Sequence, residues 1–247
     1  PVPKDRDQAF FNSDGLLAKG ITFAALPYLQ GFKRYYPNIK WFNWEERDFD
    51  RIFLNNLDAE KWKQIISEFQ QHLSDSVILQ AAHQLPPEIY TIGGATIVKK
   101  LKRRRDLLTK KGMVYYQFLS REVNVVGSNK NEYFKISNAG DQLDLKVYKL
   151  KKGNDSSDVM YHRLFDPKVT KFINLYGLNG NDIFQVDSGV SSKIKLRIIG
   201  GKGQDTFDIN GNIRNRIFDY SPENNYVEHN NRTKNEMSTS PYVNRYD

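Results

Sequence analysis

The sequence predicts an α+β protein in which a mainly helical N-terminal half precedes an all-β half. Apolar residues recur at helical spacing in the first half, and the spacing changes to strand-like alternation near Glu122. An internal repeat with a constant offset of 23 residues follows in the second half. These patterns predict three parts: a helical domain over residues 1–121, a β domain over 122–220, and a polar linker or tail over 221–247.

The composition limits the classes of protein to which the chain can belong. Of its 247 residues, 39% are hydrophobic and 13% are aromatic, which is enough for one large or two ordinary domains. No run of 18 apolar residues occurs, so no membrane-spanning helix is predicted. The lack of cysteine excludes disulfides, zinc–thiolate sites and cysteine nucleophiles. The net charge of +8 permits an anionic partner without selecting nucleic acid, a phosphate ligand or lipid headgroups.

The helical half is predicted from capping residues and from one-sided apolar patterns. Asp58 is a suitable N-cap for a helix over about 59–73, whose apolar residues fall on one face. Ser74 or Asp75 can cap the next helix, and Pro86 and Pro87 end it or restart a short turn of helix. A long helix over about 95–121 then completes this half of the chain.

That long helix carries the densest positive charge in the sequence, including Lys102, Arg103 and Arg104. One interpretation is a face that binds phosphate or another anion. The alternative is an exposed helical surface whose long side chains cover neighbouring apolar groups. The sequence leaves both interpretations open.

An internal repeat organises the β half. Residues 172–188 align with residues 195–211 at the offset of 23, and a weaker third copy is expected over 213–220. Each full copy consists of a strand, a Gly-rich turn and a second strand, which predicts either stacked hairpins or the rungs of a short solenoid. Asp182 and Asp205 occupy equivalent positions just after the two turns.

The second turn resembles the RTX calcium-binding repeat, because residues 200–208 fit its pattern G-G-x-G-x-D-x-U-x. The resemblance implies that Asp182 and Asp205 are Ca²⁺ ligands. Two features depart from the family pattern: Leu178 replaces the second glycine of the first copy, and the copies lie 23 residues apart rather than nine. The alternative is that both aspartates accept backbone N–H groups within their own turns.

Two acidic residues near the start of the chain form a candidate Mg²⁺ site. Asp5 and Asp7 follow Val2 and precede Phe10, which predicts a strand end with both carboxylates on one face. Mg²⁺ in phosphoryl-transfer sites is held by one or two protein carboxylates together with substrate phosphates. A solvated turn with two incidental acids is the alternative.

Residues 3–121 resemble the C-terminal lobe of the CotH-like atypical kinase family. The run PKDRDQAF at residues 3–10 is similar to that family's P-x-D-x-D-x-A-F, whose Asp-x-Asp takes the metal-binding place of the kinase DFG aspartate. The resemblance implies a kinase-like lobe in which Asp5 and Asp7 hold Mg²⁺ beside a nucleotide or phosphate ligand. The family's nucleotide-binding lobe and catalytic loop lie upstream. We therefore assign no catalytic residue here and expect the isolated chain to be inactive.

The whole chain also resembles the middle region of large Bacteroidetes envelope proteins. These carry a calcineurin-like metallophosphoesterase domain upstream and an outer-membrane barrel of the surface-antigen type downstream. The resemblance implies a cell-envelope location, periplasmic or outer-membrane associated, with the neighbouring domains of the same polypeptide as partners. The chain begins at Pro1 without an initiator Met or a secretory leader, so we expect a piece of a longer protein.

Three functions are consistent with these patterns. The first is part of a metallophosphoesterase or phosphoryl-transfer protein of the cell envelope, supplying at most a divalent-metal and phosphate half-site. The second is a structural spacer or partner-binding module between an enzyme domain and an outer-membrane barrel. The third is a calcium-stabilised β-repeat module. A nucleic-acid binder ranks last, because no RNP-like or OB-like pattern accompanies the aromatic and basic residues of 14–43.

Overall fold

The chain belongs to the mixed α+β class, with 34% helix, 35% strand and two sheets, which confirms the α+β class predicted from the sequence. A computed structural model describes residues 10, 15, 20–22, 31–36, 38–151 and 156–245. The chain divides into two units. The first consists of Pro1–Arg47 and Ala59–Phe118, and the second of Asp48–Asp58 and Leu119–Asp247.

Helices occupy the described chain up to Leu119. Their bounds are α1 Ile39–Phe42, α2 Arg47–Phe53, α3 Ala59–His72, α4 Asp75–Ala82, α5 Pro87–Ile89, α6 Ala95–Asp106 and α7 Leu108–Leu119, with a π-helical turn Tyr90–Gly94 between α5 and α6. Ser74 caps α4 as predicted, because its hydroxyl accepts the Val77 N–H at 3.3 Å. The predicted single helix over 95–121 is two helices. The Leu107 N–H donates to the Arg104 carbonyl at 3.1 Å. This three-residue spacing is a tighter turn than that of an α-helix, and α6 ends there.

The strands form two sheets in the second unit. Their bounds are β1 Glu122–Val126, β2 Glu132–Ala139, β3 Gln142–Leu150, β4 Ser156–Phe165, β5 Phe172–Asn179, β6 Ile183–Val186, β7 Ser191–Lys202, β8 Thr206–Ile209, β9 Asn212–Phe218, β10 Tyr226–His229 and β11 Thr233–Asn235. Sheet A has the order β1-β5-β7-β9-β11 and is parallel throughout. Sheet B has the order β10-β8-β6-β2-β3-β4. Its β2–β3 and β3–β4 pairs are antiparallel, and its other pairs are parallel.

Successive passes of the chain place one strand in each sheet, and we call each such pair a rung. The rungs are β1 with β2, β5 with β6, β7 with β8, and β9 with β10, and the β3–β4 hairpin follows the first rung. The two copies of the sequence repeat are neighbouring rungs, since Phe172 pairs with Lys195 and Ile183 with Thr206 at the predicted offset of 23. The two strands of a copy belong to different sheets and so do not form a hairpin.

The inner faces of the two sheets enclose the main hydrophobic core. In strands such as β2 and β9, alternate residues contribute to it, as the period of two requires. Phe134, Phe184 and Phe207 occupy equivalent positions in three consecutive rungs, and their rings stack at 4.6 and 5.3 Å between centroids. Because each rung repeats the pattern of the one before it, the core is continuous along the stack.

The prediction of a linker or tail over 221–247 does not hold for the described part of that segment. It contains β10, which pairs with β8, and β11, which pairs with β9. The segment is polar because it packs only a few partly buried side chains against the core, among them Val227 of β10 and Met237 just after β11. Asn225 instead fixes the backbone by accepting the Asp205 N–H at 2.7 Å.

Segment 48–58 covers the β1 edge of sheet A. The Asn55 side chain donates to the Asn124 carbonyl at 3.0 Å. The Asn55 carbonyl accepts from the Tyr161 hydroxyl at 2.8 Å and from the guanidinium of Arg163, whose other terminal nitrogen donates to Ser120 Oγ at 2.7 Å. These bonds satisfy backbone groups at an edge that would otherwise be open to another strand.

Candidate anion-binding face

The outer face of sheet A is built by the alternation of its strands. In β7, Leu196 and Ile198 point into the core, so Lys195 and Arg197 point outward. In β9, Ile213 and Ile217 point into the core, and arginines stand at the alternate outward positions. The pattern of apolar and basic residues therefore makes a cationic outer face from the same strands that make the core.

Strand register brings basic residues directly opposite one another on this face. Lys195 pairs with Arg214, and Arg197 pairs with Arg216, which in turn pairs with Lys234. Neighbouring strands lie about 4.8 Å apart, so the charges of a row are held close together. Arg232 lines the same surface. We call this set the basic ladder: Lys195, Arg197, Arg214, Arg216, Arg232 and Lys234.

The positive charge of the basic ladder is largely unbalanced. Glu236 contacts Lys234 at 2.6 Å and Arg216 at 4.0 Å. Within the described residues, no ion pair joins any other member of the basic ladder to a carboxylate. Like charges directly opposite each other destabilise a sheet. The arrangement therefore costs folding stability, and a bound anion would remove that cost.

Aromatic rings support two of the cations. The Lys195 ammonium lies 5.2 Å from the centre of the Phe172 ring. The Arg197 guanidinium lies 4.8 Å from the centre of the Phe218 ring. Each cation is attracted to the face of its ring, which holds the charge near the sheet surface.

Two cavities lie on this face. The first, of about 800 Å³, is lined by the basic ladder together with Phe172 and Phe218. The second, of about 760 Å³, lies at the β1 edge, where Ile52 of α2 also lines it. Glu122, Asn174 and Arg197 line both cavities, so the two form one groove across sheet A. Both volumes are in the range of ligand pockets.

Comparisons with known proteins were made by sequence and by fold. No family model, curated protein or solved structure matches this chain. No helix in the described ranges combines the length and the apolar character that a membrane crossing requires.

The basic residues predicted from the sequence as an anion site have contacts inside the helical unit. Lys102 contacts Asp75 at 2.8 Å, and this hydrogen bond is the main cause that lowers the pKa of that carboxyl. The Arg103 guanidinium lies 5.6 Å from the centre of the Tyr35 ring, and that of Arg104 lies 4.4 Å from the centre of the Tyr36 ring. These contacts favour the structural interpretation, and phosphate binding by this helix stays a prediction.

The candidate Mg²⁺ ligands Asp5 and Asp7 lie outside the described residues. Across the described residues, no group of three His, Cys, Asp or Glu side chains is placed to hold a metal ion. The Mg²⁺ prediction therefore rests on the sequence resemblance alone.

The candidate Ca²⁺ ligands connect neighbouring rungs. One oxygen of Asp182 accepts the Glu132 N–H, and one oxygen of Asp205 accepts the Asp182 N–H, both at 2.7 Å. Asn225 continues the series by accepting the Asp205 N–H. The alternative predicted from the sequence, in which both aspartates accept backbone N–H groups within their own turns, is therefore wrong. The donors lie 50, 23 and 20 residues earlier in the chain, because the turns are stacked and each side chain reaches the preceding turn.

A second series of bonds runs beside the first in the opposite direction. Asn131 accepts the Asn181 N–H at 3.0 Å, and Asn181 accepts the Gln204 N–H at 2.9 Å. In one turn, therefore, Asn181 accepts an N–H group of the following turn and Asp182 accepts an N–H group of the preceding turn. We call these two series the turn ladder, and it fixes the spacing of the rungs.

The second carboxylate oxygens of Asp182 and Asp205 are buried without a hydrogen-bond partner. One carboxylate oxygen of Asp219 is buried without a partner as well. Burial raises the pKa of Asp182 to about 8, of Asp205 to about 7 and of Asp219 to about 6. A neutral carboxylic acid is the form that such an environment favours. Ca²⁺ takes six to eight oxygen ligands. Asp182 and Asp205 each use one oxygen on a backbone N–H, and Ca²⁺ binding by them stays a prediction.

Sequence reasoning missed the basic ladder. The signal was present as Lys193, Lys195 and Arg197 at alternate positions in β7, and as Arg214 and Arg216 in β9. This pattern becomes informative only with the register, because the sequence does not show which cations face each other.

Proposed function

We propose that this chain is an anion-binding β module whose basic ladder holds an extended, negatively charged polymer. The observation that carries the proposal is the direct pairing of like charges, Lys195 with Arg214 and Arg197 with Arg216. The repulsion between these cations is offset when an anion lies between them. A fixed array of Arg side chains also suits recognition of carboxylate, sulfate or phosphate groups.

A polymer is favoured over a small anion because the charges are repeated. The basic ladder crosses β7, β9 and β11, and further lysines extend the basic surface at the strand starts. Lys168, Lys171 and Lys193 line this extension. A single small anion would occupy a fraction of the surface, whereas a chain with regularly spaced charges would contact successive strands.

We infer a second role as a rigid connector within a larger protein, which is supported by the turn ladder. Side-chain bonds to the backbone of adjacent rungs resist bending between rungs. This role agrees with the spacer expected from the envelope resemblance. The cell-envelope location, the adjoining phosphoesterase and barrel domains, the kinase-like lobe with Mg²⁺ at Asp5 and Asp7, and a Ca²⁺-stabilised repeat all remain proposals from that sequence reasoning.

The anion-binding proposal is tested by titration calorimetry with dextran sulfate at fixed ionic strength. Replacing Lys195, Arg214 and Arg216 by Gln removes three charges from the basic ladder. The matched control replaces Lys130, Lys135 and Lys149 by Gln, which lowers the net charge equally but lies on the other sheet and its loops. We expect at least about a tenfold weaker affinity in the ladder variant and a change below about twofold in the control. Equal losses in both variants would refute the proposal.

A further inference from the structure

The groove on sheet A changes chemical character from one end to the other. The β9 and β11 end is cationic, with Arg214, Arg216 and Lys234. The β1 end is mixed and less cationic, with carboxamides such as Asn124, the acid Glu122, and the ion pair of Asp48 with Arg51. Because Arg197 lines both cavities, a single extended ligand can contact both ends. Such a ligand must therefore have groups that bind the cationic end and groups that bind the polar end.

The polar end is held in a defined arrangement by Asn174. Its side-chain NH₂ donates to Asn124 Oδ1 at 2.7 Å and to Glu122 Oε1 at 3.1 Å. These bonds leave the Asn124 NH₂ as a donor and Glu122 Oε2 as an acceptor. A neighbouring donor and acceptor suit hydroxyl groups, since each hydroxyl both donates and accepts hydrogen bonds.

Glu122 also discriminates among polyanions. Its position is directly opposite Phe172, which is directly opposite Lys195. Units inside a DNA or polyphosphate chain carry a negative charge but no free hydroxyl, so they offer no hydroxyl donor to this carboxylate. A polysaccharide carries neutral hydroxyls between its acidic groups, so one sugar can place hydroxyls at Glu122 while a carboxylate reaches Lys195.

The ring between these two residues can contact a sugar. Phe172 is 40% exposed, and it stands between the acid and the cation in the same row of the sheet. The axial C–H groups of a sugar ring form an apolar patch that packs on an aromatic face. Neighbouring strands lie about 4.8 Å apart, a spacing comparable with the length of one sugar ring in an extended glycan. Successive sugars would therefore meet successive strands.

We infer that the ligand of the groove is an acidic polysaccharide with carboxylates on its sugar rings, an inference that rests on the proposed anion-binding function. The arginines bind the carboxylates through paired N–H donors. Glu122 and Asn124 bind hydroxyls, and Phe172 packs against a ring face.

The inference is tested by titration calorimetry with three probes of equal length: a galacturonate decamer, its methyl ester, and the single-stranded DNA dT10. We expect the acidic decamer to bind at least about tenfold more tightly than the neutral ester. Arg197→Gln should weaken decamer binding at least about fivefold, while Lys135→Gln on the other sheet leaves it unchanged. Tighter binding of the ester than of the acid would refute the inference.

Glu122→Gln separates the polysaccharide from other polyanions. Gln keeps the acceptor for Asn174, so the local fold is retained, and equal melting temperatures check this. We expect the variant to bind the decamer more weakly and dT10 more tightly, because a hydroxyl acceptor is weakened and a repulsive charge is removed. If dT10 binds the wild type through the basic ladder and the decamer does not, the polysaccharide inference fails and the anion-binding function stands. If neither binds through the basic ladder, both fail.

Discussion

Asp205 and Asp219 each have one carboxylate oxygen, Oδ2, without a hydrogen-bond partner, and both of these oxygens lie against Gly200 in the interior of the second unit. A Cβ on Gly200 would overlap both oxygens, so glycine is required there. Two carboxylate oxygens that face each other are both acceptors, and a proton between them converts repulsion into a hydrogen bond. The raised pKa values of this buried group predict that folding takes up protons.

We predict that the folded protein becomes less stable as the pH rises from 5 to 9. The pKa values of Asp182, Asp205 and Asp219 are raised in the folded state to about 8, 7 and 6. The unfolded pKa is about 3.9. A raised pKa contributes stability that is complete below the unfolded value and is lost as pH rises through the folded value. Thermal unfolding should show a melting temperature at least about 5 °C lower at pH 9 than at pH 5. A constant melting temperature would contradict protonated carboxyls in the turn ladder.

Asp182→Asn should reduce this pH dependence. Asn keeps the oxygen that accepts the Glu132 N–H and replaces the protonated oxygen by an uncharged NH₂. The number of protons taken up on folding should fall by about one. The slope of the unfolding free energy against pH should therefore become smaller by at most about 1.4 kcal/mol per pH unit. Urea unfolding at pH 6, 7, 8 and 9 measures the slope. Asp141→Asn, at an exposed position, is the control and should retain the wild-type slope.

Gly203→Ala should prevent or severely weaken folding. Gly203 has φ +142°, and a Cβ there would overlap the carbonyl oxygen of Gly180 in the adjacent turn. We expect a loss of at least about 3 kcal/mol, measured by urea unfolding. Gly189→Ala is the matched control, since its Cβ would meet nothing within 4 Å. It should change stability by less than about 0.5 kcal/mol, and equal losses at the two positions would contradict the stacked turns.

Asn55→Ala should destabilise the second unit. The change removes the hydrogen bond to the Asn124 carbonyl at the β1 edge. The expected cost is about 1–3 kcal/mol, because an acceptor at a partly buried edge loses its partner. The control is Asn138, whose exposed side chain donates a hydrogen bond to the Gly189 carbonyl. Asn138→Ala should cost less than about 0.5 kcal/mol, since water replaces the lost donor. Hydrogen exchange at β1 that is unchanged in Asn55→Ala would contradict the proposed edge cover.

The 23-residue repeat predicted two neighbouring rungs because it reflects the pairing of β5 with β7 and β6 with β8. The first rung was not predicted. The β3–β4 hairpin separates it from the next, so Glu122 pairs with Phe172 at an offset of 50. The rung after the repeat also has a different length, with Thr206 paired to Tyr226. A fixed offset detects only rungs of equal length.

The basic ladder shows why a charge pattern alone did not identify the site. The helix with Lys102 and Arg104 has denser charge in the sequence, but its cations contact Asp75 and aromatic rings in the folded unit. Lys195 and Arg214 are 19 residues apart and become neighbours only through strand pairing. The fold places like charges together, and that placement, rather than charge density, indicates an anionic ligand.

The salt dependence of polyanion binding tests the anion-binding function most directly. Affinity for fluorescent dextran sulfate, measured between 50 and 200 mM salt, reports the number of ionic contacts through the slope of log K against log salt concentration. We predict that replacing Lys195, Arg214 and Arg216 by Gln reduces this slope by about two units. The control with Gln at Lys130, Lys135 and Lys149 should keep the wild-type slope. The same slope in all three proteins would contradict binding at the basic ladder.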